Sequence, residues 1–167
     1  MYTVKGIKSF QGEEGYGFNA TLYRDGKKVA TVSDYAHGGP LDIRFTNEDE
    51  EVKLQEYVRA LPVETFEHEG KTLSLPLSSR IEVFLNALVD RTEELNQLFR
   101  KSRKNIYFIR EGKILSTKKA TPTEETIAIV RQQHKAEAIL SEAKTVAELE
   151  AMLDRLLPDY LPSITKA

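Results

Sequence analysis

The segment from Ser33 to Phe45 (SDYAHGGPLDIRF) concentrates the side chains that could do chemistry. Its candidate binding residues are Asp34, Tyr35, His37, Gly38, Gly39, Asp42 and Arg44. The glycine amides could turn towards an anion, histidine is the side-chain type that titrates near neutral pH, and Arg44 could bind a carboxylate or phosphate through two hydrogen bonds. The alternative, which we favour, is a structural connection in which Asp34 accepts bonds from nearby amides and the glycines turn the chain. If the chain has a binding site, we expect it here.

A second candidate is a basic patch that precedes two aromatic residues. Its members are Arg100, Lys101, Arg103 and Lys104. Tyr107 and Phe108 follow, so the patch could stack and hold a single-stranded nucleic acid, or it could bind a nucleotide or an acidic protein. We favour a structural role instead, because cations in the last turn of a helix complement its C-terminal partial charge.

The patterns of common catalytic and metal sites are missing from the sequence. It contains no GxSxG, GxxxxGK[ST] or HExxH motif, and without cysteine it has no thiol nucleophile or cysteine-bound zinc. The glycine-rich stretch Gln11–Gly17 precedes a predicted strand, and its two glutamates would repel a phosphate. We therefore predict no catalytic residue, metal or cofactor. A hydrolase that uses Asp34, His37 and Asp42 is the least favoured hypothesis.

Composition predicts one soluble globular domain over residues 1–167. Of its residues, 40% are hydrophobic and 30% are charged, which is too apolar for a disordered chain. The net charge of -2 argues against a dedicated duplex-DNA binder. No apolar run approaches the length of a membrane span, and the first residues lack a signal peptide's apolar core. We expect a cytoplasmic protein without membrane contact.

The first half of the chain predicts an antiparallel sheet followed by helices. In residues 1–46, Phe18, Ala20 and Leu22 alternate with polar residues, and Asp25-Gly26 forms a two-residue hairpin turn. Residues 2–10 and 41–45 supply two more strands. Residues 47–104 are predicted to be helical, with one helix capped by Asn47 and a long one by Ser79. The apolar stripe of the long helix should lie across the sheet.

The second half predicts a hairpin and a helical C-terminal part. Residues 105–119 form the hairpin, which turns at Glu111-Gly112. In residues 120–160, one helix begins at Thr121 and a last one at Thr145. Residues 135–144 could be strand or helix, because periodicity does not decide between them. The predicted fold class is α+β, with an N-terminal antiparallel sheet, a long packed helix and a C-terminal helical part.

Two stretches resemble small proteins of phages and prophages. The first stretch is FNATLYRDGKKVATVSDYAHGG, which has an Asp-Gly-Lys-Lys turn followed by an aspartate and a pair of glycines. The second stretch is IAIVRQQHKAEAILSEAKTVAELEAML. The sequence departs from the pattern at Tyr35-Ala36-His37, where Asn or Gly is usual. The resemblance implies a phage or prophage origin and a strand within residues 136–140. It implies no reaction.

The function hypotheses combine this resemblance with the distribution of charge. Residues 47–70 hold two basic and eight acidic residues, whereas residues 71–119 hold eleven basic and five acidic ones. Our first hypothesis is a non-enzymatic interaction protein that binds and modulates a host protein, including a defence component, in the host cytoplasm. The alternative is a small-ligand or nucleotide-binding module that uses the 33–45 loop. Neither the partner nor the oligomeric state follows from the sequence.

Overall fold

The computed structural model describes residues 1–63, 65–117, 120–162 and 164, and it has the predicted α+β fold. The chain divides into two compact units, residues 1–90 with Ile164 and residues 91–162. This division does not test whether the chain folds as one domain, which stays a prediction.

The first unit contains a four-stranded antiparallel sheet in sequential order. Its strands are β1 (Tyr2–Gln11), β2 (Tyr16–Arg24), β3 (Lys27–Asp34) and β4 (Asp42–Phe45). The predicted alternation is confirmed, because Phe18, Ala20 and Leu22 are all buried. Asp25 and Gly26 both have positive φ angles, 50° and 80°, so the predicted two-residue turn is confirmed as well.

Two helices pack in the first unit. Helix α1 (Glu48–Ala60) begins as predicted, with the Glu50 backbone N–H donating to the Asn47 side chain at 3.1 Å. Helix α2 (Leu77–Ser102) begins earlier than predicted, and the capping box at Ser79 is wrong. The Arg80 N–H already donates to the Pro76 carbonyl at 3.0 Å, so Ser79 lies inside the first turn.

The apolar stripe of α2 serves two hydrophobic cores. Phe84, Leu85 and Leu88 pack with buried residues of the sheet. Leu95 and Leu98 belong to the core of the second unit instead. The prediction that the whole stripe lies across the sheet is therefore wrong for the second half of the helix, because periodicity shows which face is buried but not what covers it.

A short hairpin interrupts the region that was predicted to be wholly helical. Strands β5 (Thr65–His68) and β6 (Lys71–Ser74) pair antiparallel, and all eight of their residues are exposed. The turn uses Glu69 and Gly70, both at positive φ. The sequence analysis missed this hairpin, although its Glu-Gly turn resembles the one predicted at Glu111-Gly112.

The second unit combines a three-stranded sheet with helices. Its elements are β7 (Tyr107–Arg110), β8 (Lys113–Ser116), α3 (Glu124–His134), β9 (Ala138–Ile139), a 3₁₀ turn (Leu140–Glu142) and α4 (Val146–Leu156). The β7–β8 hairpin confirms the prediction for residues 105–117, and Lys118 and Lys119 lie outside the described residues. Strand β9 pairs with β7, so residues 135–144 contain a strand.

Side-chain caps start both helices of the second unit. Helix α4 begins as predicted, because the Glu148 N–H donates to the Thr145 hydroxyl at 3.1 Å. The predicted start of α3 at Thr121 is two residues early, since Thr123 is the capping residue. Thr126 completes a capping box with Thr123, because its hydroxyl accepts from the Thr123 N–H at 2.9 Å.

Two buried arginines fix helix positions within the units. In the first unit, Arg80 donates to the carbonyl oxygens of Val58 and Leu61 at 2.7 and 3.1 Å and so caps the end of α1. In the second unit, Arg91 of α2 donates to Glu150 at 2.9 Å and to both carboxylate oxygens of Asp154 at 2.6 and 2.8 Å. These bonds tie α2 to α4.

We expect Gly26→Val to destabilise the first unit through backbone conformation alone. A side chain at Gly26 would meet nothing within 4 Å, but the residue has a φ of 80°. A left-handed conformation costs an ordinary residue about 1–2 kcal/mol, and a β-branched residue is the worst case. Urea unfolding should show a loss of this size, and Gly26→Asn should lose less. If the valine variant is as stable as the wild type, the turn is assigned wrongly.

Candidate functional site

Two connections meet at one end of the first unit's sheet. Residues 12–15 join β1 to β2, and residues 35–41 join β3 to β4. The Glu14 N–H donates to the Ala36 carbonyl at 2.9 Å, which links the two connections. A Cβ atom on Gly12 would lie 2.5 Å from that of Ala36, so a glycine is needed there. The exposed rings of Tyr16, Tyr35 and His37 form what we call the aromatic end.

Asp34 has a structural bond in this end of the sheet. Its carboxylate accepts from the Ala36 N–H at 2.7 Å, as the structural interpretation of the segment expected. Ala36 itself has a φ of 53°, a conformation that short side-chain-to-backbone bonds support in turns. Asp34 therefore helps to turn the chain out of β3.

Asp42 holds two of the other candidate residues. One of its carboxylate oxygens accepts from the Tyr35 hydroxyl at 3.0 Å and from Nε and Nη2 of Arg44 at 3.0 and 2.8 Å. The hydrogen bonds from Arg44 and then from Tyr35 lower the pKa of Asp42 below its ordinary value of 3.8. At neutral pH Asp42 is therefore an anion that fixes the Tyr35 ring through its hydroxyl.

The exposed rings of Tyr35 and His37 are held in place although solvent reaches them. Tyr35 and His37 stack with centroids 5.8 Å apart and planes inclined by 19°. Nδ1 of His37 accepts from the Gly39 N–H at 3.2 Å, which sets the orientation of the imidazole. Tyr35 is 44% exposed and Tyr16 is 76% exposed. This end of the sheet thus presents aromatic surface without burying it in the first unit's own core.

The same bonds make the segment a poor anion site. The amides of Ala36 and Gly39 already donate to Asp34 and His37, and Arg44 already binds Asp42. The Glu14 carboxylate lies against Gly38, the glycine that has a positive φ. An incoming phosphate would have to replace these bonds and approach a carboxylate.

Two carboxylates give the aromatic end a negative rim. Glu13 and Glu14 have no side-chain hydrogen bond or ion pair with any other residue that the structure describes. Asp42, in contrast, is neutralised by Arg44. A partner at this end would therefore face two unpaired negative charges beside three rings.

The basic patch is divided by the structure. Arg100 and Lys101 lie in the last turn of α2, as predicted, but Arg103 and Lys104 lie beyond its end. Arg103 donates to the Ala143 carbonyl and stacks on the Phe99 ring at 4.5 Å, so its role is structural. Phe108 is buried, which leaves only Tyr107 of the predicted aromatic pair for stacking on a nucleic acid.

The histidines lie on separate elements. His37 follows β3, His68 ends β5 and His134 ends α3. The described residues contain no cluster of three or more side chains placed to hold a metal. Within the same residues, no helix is both long and apolar enough to cross a membrane.

Comparisons of the chain with protein-family models, curated proteins and solved structures find no match. The sequence analysis also missed one contributor to the aromatic end, Tyr16, which borders the glycine-rich stretch. The sequence carried no signal for it, because the place of Tyr16 at this end of the sheet follows from its pairing with Gln11 in the structure.

We expect the pKa of Asp42 to lie below 3.8 and to depend on its two partners. Arg44→Met should raise this pKa more than Tyr35→Phe, because Arg44 supplies two of the three hydrogen bonds and a positive charge. A carboxyl-detected NMR titration of the three proteins measures the pKa values. Because the pKa is lower in the folded state, the stabilisation is present above the unfolded value and is lost as the pH falls through the folded value. An unshifted pKa in the wild type would contradict the hydrogen-bond geometry.

Proposed function

We propose that this chain is a non-enzymatic protein-binding module whose contact surface is the aromatic end. The observation that carries the proposal is the stacked pair of exposed rings, Tyr35 and His37, which hydrogen bonds to Asp42 and Gly39 already hold in one arrangement. Tyrosine is enriched among the residues that dominate binding energy at interfaces. A ring that is fixed before binding loses little conformational entropy when a partner covers it.

The charges around the rings define the partner's chemistry. Glu13 and Glu14 favour a partner surface with lysine or arginine beside an apolar patch, since complementary charges speed association and reject like-charged surfaces. Raised salt should slow association with such a partner, because these carboxylates are exposed and are screened by ions.

The resemblance to phage and prophage proteins extends the proposal to the identity of the partner. We propose a protein of the bacterial host, including a component of its defence, bound in the host cytoplasm. A small-ligand or nucleotide site in the 33–45 loop is less well supported, because its amides and Arg44 are already bonded within the loop.

The proposal is tested by affinity capture from a bacterial lysate with matched variants. Tyr35→Ala and His37→Ala remove rings from the aromatic end, whereas Phe66→Ala removes a ring of similar exposure, 48%, from the β5–β6 hairpin. We expect a protein that the wild type and Phe66→Ala retain and that the other two variants lose. With that partner purified, each of the two losses should weaken affinity about tenfold or more.

The capture experiment also includes the variant Arg44→Ala and a thermal unfolding measurement of every variant. Arg44 is bonded to Asp42, which in turn holds the Tyr35 hydroxyl, so Arg44→Ala should weaken affinity less than Tyr35→Ala, which removes the ring itself. All four variants should unfold within a few degrees of the wild type. Equal capture by the four variants, or losses of affinity that only follow losses of stability, would contradict the proposal.

A further inference from the structure

The second unit contains a cleft that takes in Lys101 of the basic patch and the neighbouring Tyr107. It lies between the second half of α2, the β7–β8 hairpin and the turn that follows α4, and its volume is about 660 Å³. Sites for small molecules commonly enclose roughly 300–1,000 Å³. The cleft is therefore large enough for a ligand of two or three rings.

Apolar and aromatic side chains make up much of its lining. Leu98, Ile114 and Pro158 supply aliphatic surface, and the rings of Tyr107 and Tyr160 line the same cleft. Tyr160 is 38% exposed. This lining suits an apolar or aromatic body, since it removes such a body from water.

The segment of α2 that lines the cleft has a negative residue, Glu94, at one end and a positive residue, Lys101, at the other. Glu94, Gln97 and Lys101 follow the spacing of a single helix face, and Glu94 and Lys101 are about 10 Å apart along the axis. Tyr160 is hydrogen-bonded to Glu94, and burial together with that bond raises the pKa of Tyr160 to about 12. The Glu94 carboxylate is thus already engaged at its end.

The ammonium groups of the cleft are not engaged. Lys101 and Lys113 both line it, and neither side chain has a hydrogen bond or ion pair among the residues that the structure describes. Asp159 on the exposed turn after α4 is the remaining charged residue of the lining. The cleft therefore offers two ammonium groups to a ligand, whereas the Glu94 carboxylate lies about 10 Å from Lys101 along the helix and is occupied by the Tyr160 hydroxyl.

We propose that this cleft binds a small molecule with an aromatic body and one anionic group, which Lys101 and Lys113 receive. The ring system of the ligand packs on the aliphatic and tyrosine side chains, and its anionic group pairs with the two lysines. The inference is independent of the proposed function, because the aromatic end lies in the other unit and shares no residue with the cleft.

Two fluorescent probes with the same ring system provide the test. Anilinonaphthalene sulfonate carries an anion, and N-phenylnaphthylamine is its neutral counterpart. We expect saturable one-to-one binding of the sulfonate to the folded full-length protein. Lys101→Met and Lys113→Met should each weaken it about three- to fivefold, the upper part of the range for one exposed ion pair. The neutral probe should bind all the proteins alike.

Lys104→Met is the matched control, because Lys104 is an exposed lysine of the same basic patch that does not line the cleft. It should leave the affinity for the sulfonate unchanged, and raised salt should weaken only the sulfonate. Thermal unfolding of each variant shows that the protein is folded at the temperature of the titration. Absence of saturable binding, wild-type affinity in the Lys101→Met and Lys113→Met variants, or an equally large loss in Lys104→Met would overturn the proposal.

Discussion

The first unit depends on one buried carboxylate. Glu50 is only 3% exposed, and its side chain accepts from Nε and Nη2 of Arg24 at 3.0 and 2.9 Å. A buried charge is tolerated when a partner and hydrogen bonds compensate for its lost hydration. The bond from Arg24 holds the pKa of Glu50 below its ordinary value, so the pair persists at neutral pH. Since Glu50 also lies in the first turn of α1, the pair fixes this helix to the end of β2.

The aromatic end lies at the other end of the same strands. Strand β2 runs from Tyr16 to Arg24. Helix α1 is therefore anchored at the Arg24 end of the strand, and the two connections lie at the Tyr16 end. The β3–β4 connection uses its polar groups within itself, through Asp34 and Asp42, and leaves rings on the surface. This distribution supports the proposed role in binding another protein, because the Asp34 and Asp42 carboxylates are already hydrogen-bonded within the connection.

Local patterns in the sequence predicted most of the helices and strands. Contacts between residues that are far apart in the sequence could not be predicted. The turn at Asp25-Gly26 and the cap at Asn47 depend on neighbouring residues, so their patterns were sufficient. The β5–β6 hairpin buries none of its residues and therefore leaves no alternating pattern, only its turn. The candidate segment around Asp42 was found from its residue types. The bond from a nearby amide to Asp34 was expected, but the bonds of Asp42 to Tyr35 and Arg44 were not, because they depend on how the connection folds back onto β4.

Motion of the residue 35–39 backbone in the free protein tests the central claim most directly. The account holds that hydrogen bonds fix this connection before any partner binds. Amide nitrogen relaxation should then give order parameters of about 0.85 for these residues, the value of rigid backbone. Values below about 0.6, with the strands of the sheet still rigid, would show a flexible loop and contradict the account.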